Sequence, residues 1–229
     1  KEGLQQLANY YSQLGNTSLD AGRYAEAADG YLAAHEILAD PVMGKEQDGT
    51  LVYYAGYLRT MDGATNPESF VKGAKHLEDA LAMNFADEDG NIYYYLYHAY
   101  YGQTDSAVRE ANMQRAKQLL MEGLSKFPNN DRIIEGLINV YTSSDSNSDP
   151  KELLEMVNNA LQRDPKNKDM WFGRGRIYYS LKNYDESITS FKRVIALDPN
   201  DALATFYVGF FYIAKGDALN EEINQRDYK

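Results

Sequence analysis

Three stretches, "LSKFPNNDR", "LQRDPKNKD" and "IALDPNDAL", each stop an amphipathic run with a proline, and the prolines stand at Pro128, Pro165 and Pro199. The intervals are 37 and 34 residues. Proline lacks the N–H that a continuing helix needs, and its ring collides with the preceding turn, so each of these points ends a helix. An interval of this length holds two ordinary helices and a turn. Its recurrence marks a chain built from stacked helix pairs, in which no pair can bury its apolar faces alone.

The rest of the chain keeps the same rhythm. Apolar residues recur at three- and four-residue spacing from Leu4 nearly to the end, and period-2 alternation is almost absent, so the fold is expected to be all-α. Breaks at Gly22, Pro41, Gly63 to Pro67, Asp87 to Gly90, Pro128 to Asn130, Ser143 to Pro150, Pro165, Asn183, Pro199 and Gly216 predict eleven or twelve helices. Between the last two prolines stand Trp171-x2-Arg174-Gly175-x2-Tyr178 and Ser187-x3-Phe191. Near the start, Tyr11-x2-Leu14-Gly15 and Ala27-x3-Tyr31 form a second copy, with Ser18 in place of the first-helix Tyr. A third opens with Thr205-x2-Val208-Gly209-x2-Tyr212 and continues into the polar "DALNEEINQRDYK".

These motifs resemble the tetratricopeptide repeat, whose pattern is W-x2-L-G-x2-Y, then A-x3-F, then P, with Arg174 for the Leu and Ser187 for the Ala. The resemblance implies a right-handed superhelical α-solenoid of about five and a half to six helix-turn-helix units. It implies one domain over 1–229, with units at about 4–41, 45–86, 89–129, 131–166, 168–201 and 202–229, the last incomplete or capping. The middle units are looser. Their first-helix cores fall at Val52, Ala55 and Gly56; at Tyr93, Leu96, Tyr97 and Tyr100; and at Ile134, Leu137, Ile138 and Tyr141. Gly15, Gly175 and Gly209 are expected to let paired helices approach closely, while Tyr97, standing where a good copy has Gly, should hold its pair wider.

Composition narrows the function. Against 23 Lys and Arg stand 34 Asp and Glu, a net charge of −11 with no basic cluster, so nucleic acid and anionic membranes are set aside as partners. No apolar run approaches the roughly 18 residues of a membrane span, so no membrane insertion is expected. There is no cysteine, which removes thiol chemistry and disulfides. Nucleotide, hydrolase and metalloprotease motifs are absent, and "GRGRIYY" sits inside a repeat helix without a preceding strand. His35, His76 and His98 fall on different units without a ligand partner at helical spacing. The acidic stretches Asp87 to Asn91 and Asp145 to Pro150 fail the calcium-loop spacing and read as turns and helix caps. No catalytic residue, cofactor or metal is expected.

In the tetratricopeptide family the first helices line a concave groove that holds a peptide or partner helix. If the seam residues above face the paired helix, the residues beside them line that groove. The candidate face is then Tyr53, Tyr54 and Tyr57; Tyr94, Tyr95, His98 and Tyr101; Phe172, Arg176 and Tyr179; and Phe206, Tyr207 and Phe210. Within "NIYYYLYHAYYG", Tyr93, Tyr97 and Tyr100 are expected to join Leu96 on the seam. The carboxylate clamp of chaperone-binding members is absent: Asn16 matches one position, but Ser12, Tyr54, Asn91 and Tyr95 occupy the others. The expected role is a non-enzymatic scaffold or adaptor binding a peptide or protein segment. The alternative is a positioning module of a larger enzyme or transport assembly, and a third reading is ring stacking on a sugar. The lack of an initial Met and of Cys leans towards an exported or periplasmic bacterial protein, with a cytoplasmic one as the alternative.

Overall fold

The computed structural model describes residues 1–44, 49–85, 87–142 and 150–227, without the side chains of 152, 218, 219 and 221–227. Among these residues there are eleven α-helices and no strand. They are α1 (Glu2–Asp20), α2 (Tyr24–Leu38), α3 (Thr50–Asp62), α4 (Glu68–Ala82), α5 (Asn91–Tyr101), α6 (Arg109–Lys126), α7 (Asp131–Tyr141), α8 (Lys151–Arg163), α9 (Lys168–Ser180), α10 (Tyr184–Leu197) and α11 (Ala202–Asp227). The chain divides into two compact units, 1–133 and 134–229.

The recurring Pro-Asn segments both end one helix and start the next. Two residues beyond each proline a side-chain oxygen accepts the backbone N–H three residues further on: Asn130 from Ile133 at 3.0 Å, Asn167 from Met170 at 3.0 Å and Asp201 from Ala204 at 2.8 Å. Each such cap is worth about 1 kcal/mol. Asn183 does the same for α10, accepting from Glu186 at 3.3 Å. At Gly22 the chain reverses from α1 to α2 through φ +71, a conformation that glycine adopts without penalty.

In the first unit each helix packs on the next from α1 to α6, and α3 also touches α5. Glycines set how closely the helices meet. A Cβ on Gly15 would lie 2.8 Å from the Tyr31 ring, and one on Gly30 would lie 2.9 Å from the Gly15 Cα, so α1 and α2 cross glycine on glycine. In the α5/α6 pair the arrangement is reversed. The second helix carries the glycine, and a Cβ on Gly123 would meet Tyr93 at 2.5 Å. Tyr93, Leu96 and Tyr97 are buried, on the seam where their spacing put them.

In the second unit α8 packs on α9, α9 on α10 and α10 on α11. Phe191 is fully buried and would lie 2.4 Å from a Cβ on Gly175. The two departures from the repeat motif are accommodated by polar contacts. Ser187 donates to the Gly175 carbonyl at 2.8 Å, and Arg174 reaches Ser190 at 2.7 Å and Glu186 at 2.9 Å while lying over Tyr178. Two sequence expectations fail here. The helix does not break at Gly216, because α11 runs unbroken from Ala202 to Asp227. Gly209 makes no close approach either: among the described residues no atom lies within 4 Å of a Cβ there.

Candidate functional site

The candidate face divides between the two units. In the first, neighbouring helices bring their aromatic rings into one continuous run. Tyr31 of α2 lies 6.3 Å from Tyr54, which lies 5.4 Å from Tyr53; Tyr95 of α5 sits 6.3 Å from Tyr53 and 4.7 Å from Tyr57. The run continues through Tyr94, which is 6.0 Å from Tyr95 and 4.4 Å from His98, and through Tyr97 to Tyr101 at 5.5 Å. The close packing of α3 on α5 places these rings together, at edge-to-face and tilted angles that suit aromatic quadrupoles.

The rings differ in what they leave open. Tyr53 is buried, stacked at 4.6 Å on Phe85 and donating to Asp87 at 3.1 Å, so it supports the face from beneath instead of lining it. Burial first, and the Asp87 carboxylate second, push its hydroxyl pKa well up. Tyr57, Tyr94, Tyr95 and His98 are half-buried, and Tyr54 and Tyr101 are each 47 % exposed. Arg132, at the start of α7, donates to the Tyr95 hydroxyl at 3.0 Å. Burial raises Tyr57 and lowers His98 from its ordinary value of 6.5, so at neutral pH Tyr57 is a neutral phenol and His98 a neutral imidazole.

In the second unit Phe172 and Tyr207 pack against Phe191, at 4.9 and 5.1 Å, and Tyr179 lies 4.7 Å from Phe211. Arg176 is engaged by α7, donating to Asn139 at 2.5 Å and Thr142 at 2.6 Å. Phe206 and Phe210 stack on each other at 6.1 Å and remain exposed.

Three supporting residues escaped the sequence reading. Phe85 and Asp87 follow α4 and hold Tyr53, and Arg132 holds Tyr95. Asp87 also accepts from the Asn91 N–H at 2.6 Å, the capping role foreseen for that acidic stretch. The only advance signal for the others was position: each opens or closes a helix whose neighbour carries the ring. The segment Asp145–Asp149 lies outside the described residues. Among the described residues no group of His, Asp and Glu could hold a metal ion, and no helix is long and apolar enough to cross a membrane.

An open cavity of about 570 Å³ lies beside Arg132, between Glu88, Asp89 and Asn91 on one side and Lys126 to Asp131 on the other. Its basic groups are already engaged. Lys126 donates to Glu122 at 2.7 Å and to the Tyr93 hydroxyl at 2.8 Å, and Asn130 donates to the Asp89 carbonyl at 2.6 Å.

Residues 169–201 match the family model of the tetratricopeptide repeat. A comparison with curated protein sequences gives no match. Among solved structures, the fold is similar to TTC0263, a thermophilic TPR protein of Thermus thermophilus, at 16% identity and a TM-score of 0.56, over 90% of this chain and 99% of that one. It is also similar to YrrB, described as a TPR protein with an unusual peptide-binding site, at 18% identity and 0.60, over 86% and 89%. The assembly chaperone of RpL4, Acl4 (residues 1–338), follows at 13% and 0.55, over 94% and 99%. The chain therefore resembles the tetratricopeptide-repeat proteins, through a family match over 169–201 and through an all-helical fold shared along most of its length.

Proposed function

We propose that this chain is a non-catalytic protein-interaction scaffold, organised in the five and a half to six units read from the sequence with the last incomplete or capping, and that the tyrosine face of residues 1–133 binds an extended peptide or protein segment. One observation carries the reading: a continuous run of rings across α2, α3 and α5 in which Tyr54 and Tyr101 stand open. Tyrosine suits such a task. It offers a broad apolar face and a hydroxyl with few rotors to freeze, and each ring a ligand covers contributes about 1 to 3 kcal/mol before ordering costs. Three or four rings then support micromolar binding. The peptide-binding site named for YrrB gives the reading a precedent in a similar fold.

Charge favours a basic segment. Residues 1–133 hold 11 Lys and Arg against 19 Asp and Glu, and neutral phenol faces attract Lys and Arg through cation–π contacts. The test is calorimetric titration with short peptides, basic and acidic, and with oligosaccharides. Saturable binding of the basic peptides, weakened at least tenfold by Tyr54→Ala with Tyr101→Ala, supports the proposal. Saturable binding of an oligosaccharide alone sinks it.

A further inference from the structure

What a tyrosine face can hold depends on which of its hydroxyls are still free. Those of Tyr54, Tyr57 and Tyr101 have no hydrogen-bond partner among the described residues. Tyr54 and Tyr101 are exposed, and the Tyr57 hydroxyl is open to solvent. Tyr95 accepts from Arg132 at 3.0 Å, so its own O–H remains to be given. The face is therefore a run of rings with phenol donors to spare. Among the described residues no strand offers a sheet edge beside it.

Of the regular forms a peptide can bring, one matches such a face. An α-helix spends all but its final turn of carbonyls on its own N–H groups, which leaves the phenols little to donate to. A β-strand carries as many N–H groups as carbonyls and needs an edge that alternates both. A polyproline II segment makes no internal hydrogen bonds, keeps its carbonyls open and has no N–H to satisfy wherever it carries proline. Its rise places two residues over about 6 Å, and neighbouring rings of this face stand 4.7 to 6.3 Å apart. Because the form is already extended in water, little ordering cost is set against a shallow face.

We infer that the tyrosine face of residues 1–133 takes a proline-rich segment in the polyproline II form, with rings packed on proline, phenols donating to its carbonyls, and a basic residue beside Asp20. The inference rests on the reading of this face as the binding surface. Charge fixes the basic end. Asp20, at the end of α1, is exposed and has no ion pair among the described residues, and Arg23 beside it is already paired with Glu26. Burial first, and the Asp20 charge second, push the Tyr31 hydroxyl up, so that carboxylate stands close to the ring next to Tyr54. Away from it, Arg132 stands at Tyr95, and Asp87 is engaged by the Tyr53 hydroxyl and the Asn91 N–H. A cation is therefore drawn to the α2 side of the run.

The test is titration calorimetry on the full chain with a peptide of about ten residues, rich in proline and carrying arginine at one end, and with the same peptide bearing alanine for every proline. The proline peptide should bind in the micromolar range and the alanine peptide at least about tenfold more weakly. Tyr54→Phe with Tyr101→Phe keeps both rings and removes two donors. It should weaken the proline peptide at least about fivefold while leaving the circular dichroism unchanged, because both side chains are exposed. Asp20→Asn should cost about threefold for the peptide with arginine and nothing for one with glutamine in its place. An alanine peptide that binds as tightly as the proline peptide overturns the inference and leaves the binding face standing. So does a phenylalanine pair that binds undiminished, or a proline peptide that fails where other basic peptides bind. Failure of every peptide overturns both. Equal effects of Asp20→Asn on the two peptides, or none on either, overturn the placement of the basic end.

Discussion

The two units carry aromatic faces of opposite kinds. In residues 1–133 the rings are tyrosines, and hydroxyl after hydroxyl finds a partner at the rim: Tyr31 with Asn16, Tyr53 with Asp87, Tyr93 with Glu122 and Lys126, Tyr95 with Arg132. In residues 134–229 the corresponding rings include phenylalanines, which have no such handle. Phe191 and Phe211 lie fully in the core, Phe172 is half-buried, and Phe206 and Phe210 are bare at the surface. A phenol can rest half in water because its polar end is satisfied there. A phenyl ring in the same place loses free energy until something covers it. The tyrosine rings are thus packed and solvated at once, while Phe206 and Phe210 leave apolar surface bare.

The contrast is sharpest in the core of the second unit. Phe191→Ala should cost about 3 to 5 kcal/mol in urea unfolding, since the ring is fully buried, sits on Gly175 and touches Phe172, Tyr207 and Phe211. A loss below about 1 kcal/mol would break the idea that this ring anchors that unit.

The first unit instead places a charge in its interior. Arg59 of α3 is buried, pairs with Asp29 of α2 and leaves its Nε without a partner among the described residues. Asp29→Asn should destabilise by about 2 kcal/mol. This is less than for a pair buried on both sides, because Asp29 is largely exposed. Arg59→Met with Asp29→Asn should recover most of that loss if desolvation is its cause.

Within the tyrosine face the effects should grade with burial. Tyr57→Ala, half-buried against Tyr95, should cost about 1 to 2 kcal/mol, whereas Tyr54→Ala and Tyr101→Ala should each cost under about 0.5 kcal/mol in stability. If the exposed pair proves as costly as Tyr57, those rings are core and the face is not free for a ligand.

The smallest expected effect is on pH. His98 is half-buried beside Tyr94 and Tyr97, and burial lowers its pKa below 6.5. The unfolded chain therefore takes up the proton first, so stability is full above pH 6.5 and declines as pH falls through the interval between the unfolded and folded values. His76 is lowered as well, chiefly by burial, and acts in the same direction. His98→Gln should flatten the decline in melting temperature between about pH 7 and pH 5, leaving the part due to His76.

Much of this was legible from the residues. The proline spacing gave the helix stops because a missing N–H acts locally. The seam of "NIYYYLYHAYYG" followed from helical periodicity, and Tyr93, Leu96 and Tyr97 are buried on it. Gly216 misled because a glycine only weakens a helix by about 1 kcal/mol, and α11 continues through it. Tyr53 was placed on the open face because its position on the helix is right, yet Phe85, arriving from the end of α4, covers it. Local rules cannot see a neighbour that comes from thirty-two residues away.

The sequence by itself determined the helix stops at its prolines, the buried seam of α5, and that the chain is all-α, because capping, proline sterics and 3.6-residue periodicity operate within a turn or two. Only the tertiary structure decided which tyrosines are packed and which are open, that Arg132 and Asp87 hold two of them, and that Gly209 meets no atom of the described residues. Those outcomes depend on which helices come to lie side by side, and exposure is a property of neighbours, not of a residue's own spacing.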